Sequence, residues 1–303
     1  MLESATEHYA RQQRITAAGL VASRRAWKRR DLAQLVAVVT AAQLVAARDA
    51  ADSVPLMLAE QDISTDAAGE VNPRALAGVA SDGRSLDTLL AIPETLGALE
   101  MLVATQIQDA ARGAAGVSVA ARPAATGYVR MLNPPSCSRC AVLAGKKFKW
   151  NSGFERHPRC DCRHIPSSEA LMGDLTTNPD AYFESLPSAA ELSEQYPDLT
   201  VKMRREAGLY SQEDIFTNSG AQALRDGADM SQVVNARSGM STANIGGRST
   251  VITTDGTTRR AAASMTRTGR NMSDRVMPET IYEIATSRAD AIRLLKLNGF
   301  ILP

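Results

Sequence analysis

Between Cys137 and His164 the chain reads CSRCAVLAGKKFKWNSGFERHPRCDCRH, and all four cysteines and two of the three histidines of its 303 residues fall there. Cys137 and Cys140 form a CxxC pair; His157, Cys160, Cys162 and His164 form a second cluster. Thiolates and imidazoles grouped as two short knuckles are the usual donors of a closed tetrahedral site. Soft sulfur ligands in such a site favour Zn. Two disulfides would need an oxidising compartment, and nothing in the chain marks it for export. A redox CxxC would sit near a βαβ pattern and would leave the second cluster unused.

The spacing also indicates local structure. Pro134 and Pro135 lead into the first knuckle and Gly145 leaves it. Lys147 to Trp150 alternates as a short strand, and Asn151-Ser152-Gly153 turns the chain back. The segment reads as a small zinc ribbon. Cys137 and Cys140 supply two ligands. The other two come from among His157, Cys160, Cys162 and His164, with Cys162 plus either Cys160 or His157 preferred. No general base accompanies the motif, so the metal is read as structural.

The remainder points to a mainly α, α+β chain. Formal net charge is +1 and aromatic residues make up 4%, which excludes a globally basic nucleic-acid binder and favours helices packed through small residues. Glu3, Glu7 and Arg11 stand where the apolar core of an export signal would lie. The run Leu32 to Ala47 is uncharged but contains Gln34, Thr40 and Gln43; it is read as a buried helix rather than a membrane span.

Residues 1–115 are expected to form a helical bundle. Its helices run from about Ser4 to Arg30, from an Asp31 cap to about Asp52 before Pro55, and from Pro93 to Arg112. Arg24, Arg25, Lys28, Arg29 and Arg30 close the first as a solvated basic face or a contact to nucleic acid or an acidic partner. Residues 116–126 read as a small-residue linker, 127–170 as the metal ribbon beginning with a GYVRML strand, and 171–235 as a helical segment. Residues 236–275 form an arginine-rich Gly/Ser/Thr arm, with a hairpin turning at Asp255-Gly256 and returning through Thr257 to Arg260. Residues 276–303 read as one C-terminal helix beginning at Pro278. In the arm, Arg248, Arg259, Arg260, Arg267 and Arg270 are candidate contacts to a partner protein or to DNA.

Catalysis finds little support. There is no GxSxG elbow, HExxH, phosphate-binding GxxxxGK[ST] or strand-linked GxGxxG, and only His8 lies outside the metal segment. No catalytic residue is assigned.

Several blocks resemble one known family. Asn133 to Cys140 (NPPSCSRC), Phe148 to Trp150 (FKW) and His157 to Cys162 (HPRCDC) are similar to the Cys/His motif of the phage Mu F-like (MuF) minor capsid, or head morphogenesis, proteins. Gly220 to Arg237, Thr250 to Arg260 and Pro278 to Ala285 resemble versions from tailed actinobacteriophages. The resemblance covers about residues 127–303. It implies a protein of the host cytoplasm during assembly and then of the virion head. Its partners would be portal, scaffold or major capsid protein, with packaged DNA as a further contact and no membrane. The family motif carries over onto Cys137, Cys140, His157, Cys160 and Cys162, with His164 outside it. Similar proteins are also labelled capsid maturation protease, but no family nucleophile carries over here.

Overall fold

Apolar residues at helical spacing fold the N-terminal part of the chain into long helices. The computed structural model describes residues 2–152, 160, 162–167, 174–255 and 274–302. Contacts divide the chain into two units, Met1–Pro134 with Ala144–Asn178, and Pro135–Leu143 with Pro179–Pro303.

In the first unit, α1 (Glu3–Lys28), α2 (Leu32–Ala59) and, after the short α3 (Leu86–Leu90), α4 (Leu96–Ala120) form the bundle. Leu35, Val39, Val54, Leu58, Leu99, Val103 and Ile107 fill its core, with alanines 46, 47, 50, 110, 111 and 114 between them. The small side chains let the helices approach closely. A Cβ at Gly19 of α1 would lie 2.6 Å from Ile107 Cδ1 and 3.3 Å from Ala42 Cβ. Asp31 caps α2 as expected, accepting from Gln34 N. By length and composition α2 would suffice to cross a bilayer, but its buried stripe packs in the bundle core.

Two expected helix ends are corrected. α2 does not stop before Pro55 but carries it internally. Proline cannot bond the carbonyl four residues back, and Ser118 Oγ of α4 donates to that Ala51 carbonyl at 3.1 Å. α4 does not stop at Arg112 but runs to Ala120. Gly113 packs instead, since a Cβ there would stand 3.3 Å from Leu76, and the neighbouring Ala114 and Ala115 are buried.

Polar groups join α1 to α2. His8 Nδ1 bonds Asp49 Oδ2 at 2.7 Å, and Arg11 Nε and Gln12 Nε2 donate to the same carboxylate. Burial pushes Asp49 upward, but these hydrogen bonds outweigh it and hold the carboxyl at about 2. Burial lowers His8, more than its bond to Asp49 raises it. Gln43 and Gln106 are buried at the α2–α4 interface. Their side chains hold the Gly78–Ser81 loop through Val79 O, Gly78 N and Ser81 N.

The first unit also contains an antiparallel sheet of order β2-β1-β3, from β1 (Gly127–Met131), β2 (Lys147–Lys149) and β3 (Arg163–Ser167). β1 and β2 are the strands read from GYVRML and FKW. Gly127 is required where β1 meets β2, since a Cβ would lie 2.0 Å from Phe148 O.

In the second unit, α5 (Ser138–Leu143) precedes a series of short helices: α6 (Pro179–Ser185), α7 (Ala189–Gln195), α8 (Val201–Glu206), α9 (Gln212–Phe216), α10 (Asn218–Arg225) and α11 (Met230–Asn235). Capping boxes at Ser188/Glu191 and Ser211/Asp214 open α7 and α9. The second sheet, order β4-β5-β6, comprises β4 (Met240–Ile245), β5 (Arg248–Thr253) and β6 (Arg275–Val276). The hairpin is therefore corrected. β5 pairs back with β4 through Gly246-Gly247, both at positive φ, as a tight two-residue turn requires. The return strand expected after Asp255 falls at Thr257 to Arg260, outside the described residues.

The C-terminal helix is also corrected to two, α12 (Pro278–Ile284) and α13 (Arg288–Leu297), because Ser287 caps a fresh start by accepting from Asp290 N. Arg275 is fully buried, donating to Asn298 O and Asp255 O and stacking over Phe300. The whole is α+β and mainly α, as read from the sequence.

Ser118→Ala should lose about 1–2 kcal/mol in urea denaturation. Adding Pro55→Ala, which restores an N–H for the Ala51 carbonyl, should recover part of that loss in a double-mutant cycle. On acidification, stability should fall first below pH 6.5 as His8 is forced to charge, its folded pKa being below the free value. It should fall again between 3.8 and about 2 as Asp49 is protonated. Asp49→Asn should remove about 2 kcal/mol of that second loss, read from denaturation midpoints against pH.

Candidate metal centre

The two knuckles of the cysteine segment form differently. The first enters α5. Ala141 N bonds Cys137 O at 3.0 Å, which turns the CxxC into helix and buries Cys140, while Cys137 stays half-buried. The second runs into β3, where Cys160 and Cys162 are 2% and 1% exposed. Among the described residues no disulfide joins the four cysteines.

The sulfurs of Cys140, Cys160 and Cys162 lie within 4.8 Å of one another. Sulfurs around one tetrahedral ion, each about 2.3 Å from it, stand roughly 3.8 Å apart. Three buried, converging thiols are the donor set that a soft divalent metal requires, and these three could hold one.

The cysteine backbone is held by a residue that the sequence reading passed over. From α4, Arg112 Nε donates to Cys162 O at 3.2 Å and Nη2 donates to Cys160 O. Its Nη1 pairs with Asp109 Oδ1 at 3.1 Å, and the two side chains are 4% and 7% exposed. One planar fork therefore positions both carbonyls of the CxC, the kind of outer support that orients metal ligands. The available signal was a charged Asp–Arg pair three residues apart within an otherwise apolar and alanine-rich stretch. It was read as the helix end.

Of the other expected ligands, Cys137 is not among the three grouped donors, and His157 falls outside the described residues. His164 is buried on β3, edge-on to Tyr128 with ring centroids 4.4 Å apart, and is not among the three grouped donors. Burial, then the charges of Arg112, Arg130 and Arg163, hold its imidazole well below the usual range. Tyr128 also stacks on Phe148 at 5.3 Å, and Arg130 lies over that ring. The FKW strand is thus tied to β1 by aromatic contact as well as by its ladder. Of the five arginines read as partner contacts, Arg248 is exposed on β5, and Arg259, Arg260, Arg267 and Arg270 lie outside the described residues.

A family model described as VG15 protein matches residues 2–189, more than half of the chain. The chain belongs to the VG15 family. That is a family of phage-like virion gene proteins, so this is a phage protein. The match takes in the whole helical bundle, which the resemblance drawn from the sequence had left out, together with the cysteine segment. No curated protein and no solved structure matches the chain.

Arg112→Met should cost about 3 kcal/mol or more, because a buried carboxylate and two backbone carbonyls lose their guanidinium. Asp109→Leu in the same chain should recover part of it. Chemical denaturation of the single and double variants measures both.

Proposed function

We propose that this VG15 family member is a minor head protein of a tailed phage, of MuF-like type, with a structural zinc site at its cysteine segment. The observation that carries the reading is the convergence of three buried thiols in a chain that belongs to a phage virion family. A dry site with sulfur donors, a guanidinium-braced backbone and no adjacent general base suits a structural ion rather than a catalytic one. When bound, the metal would supply cross-linking. Cys140, Cys160 and Cys162 would hold it as thiolates, and Cys137 or His157 would complete the set. Arg112, donating to the carbonyls of Cys160 and Cys162, places positive charge close to the thiolates and offsets part of their negative charge.

In this reading the protein works in the host cytoplasm during assembly and remains in the head. There it binds portal, scaffold or capsid protein. The helical bundle and the arginines of the 236–275 segment, Arg248 among them, provide the contact surfaces.

Elemental analysis of reduced, purified protein should find one zinc per chain. Cys140→Ser, Cys160→Ser and Cys162→Ser should each abolish it, and a chelator should lower the melting temperature of the parent but not of these variants. Comparing Cys137→Ser with His157→Ala identifies the fourth ligand as the one whose loss weakens retention. Mass spectrometry of procapsids and virions tests the assignment to the head, and absence from both would reject it.

A further inference from the structure

At the corner where α1 turns into α2 the first unit carries a cleft of about 440 Å³, lined by Trp27, Arg30, Leu32, Leu35, Leu90 and Pro93 and by one carboxylate, Asp31, which is engaged as the α2 cap. Two large apolar residues stand out to solvent at this end, Leu32 at 40% and Ile92 at 58% exposure. The rim is basic. Arg24 is paired with Glu100. Arg25, Lys28, Arg29 and Arg30 make no ion pair among the described residues, and Lys28, Arg29 and Arg30 are exposed alongside Arg25. The carboxylates nearby in sequence are fewer, Asp31 and Glu94, and Asp31 accepts from Gln34 N as the α2 cap.

The corner itself adds a second, independent observation. Asp31 N bonds Ala26 O and Arg30 N bonds Trp27 O, the double-bonded helix stop that places its next residue in the left-handed region. That residue is Arg30, at φ 56°. Glycine takes this position without steric cost, whereas an L side chain is strained there. Strain retained at a solvent-facing corner points to a use for the side chain, and Arg30 lines the cleft.

We propose that this cleft docks an acidic segment of a partner protein that inserts an apolar side chain against Trp27, Leu32 and Pro93 while its carboxylates meet Arg25, Arg29 and Arg30. Guanidinium forks match carboxylates in pairs, and the leucine and proline floor offers nothing to a phosphate backbone, so a protein segment fits better than nucleic acid. The proposal rests on the reading of the chain as a partner-binding head protein, but it concerns a site separate from the cysteines and is tested without virions.

The probe is a fluorescein-labelled synthetic peptide of glutamates carrying a Leu and a Phe one helical turn apart, titrated with the full-length protein by anisotropy. Binding should weaken with added salt, and about tenfold when Arg25 and Arg29 are both changed to Glu. Arg30→Gly should raise the melting temperature and weaken the peptide at the same time, a combination that a merely structural arginine does not produce. Leu32→Ser should weaken binding with circular dichroism unchanged. The proposal is overturned if the peptide does not bind, or if replacing its Leu and Phe by Ser leaves affinity intact. It is also overturned if a DNA duplex binds as tightly and competes, or if Arg30→Gly leaves peptide affinity unchanged. Each of these can occur whether or not the protein is found in the phage head.

Discussion

A guanidinium removed from water must have every donor engaged or it costs more than its position can return. Arg112 meets that condition by bonding Asp109 on its own helix and the backbone carbonyls of Cys160 and Cys162. The direction of dependence matters. The CxC could adopt many backbone conformations, and a fork anchored in the long helix α4 selects one, with its two thiols buried and close to that of Cys140. Cys160 and Cys162 are fixed because a helical residue holds their peptide groups, which ties this stretch to α4 within the first unit.

The bundle applies the same economy elsewhere. Several buried polar side chains in it answer backbone groups that have no partner in a helix or ladder. Ser118 takes the carbonyl that Pro55 abandons. Gln43 and Gln106 satisfy the loop from Gly78 to Ser81, which has no ladder of its own. In the second unit Arg275 does this for Asn298 and Asp255. Such residues have little chemical meaning in isolation, and none carries a recognisable motif.

Much of the fold could be read along the chain because its signals are local. The Asp31 cap, the alternation of Lys147 to Trp150 and the paired cysteines all act within a few residues. The failures share one cause. Pro55 and Gly113 are read by default as stops or loose turns, and the partner of the Val251 strand is sought after Asp255. For Pro55 and Gly113 the outcome was set by partners more than thirty residues away, and for the hairpin by which segment pairs with β5. The C-terminal split at Ser287 is different: its cap was local and was overlooked among apolar residues at helical spacing.

The amino-acid order by itself determined that the chain would be mostly helical with small sheets, and that its cysteines formed one group with metal-ligand chemistry, since residue type and spacing dictate both. Which thiols meet, which buried cation steadies them, and that Arg30 stands strained beside an apolar cleft were decided only by tertiary packing. Those facts depend on distances between side chains remote in sequence, and no local propensity encodes them.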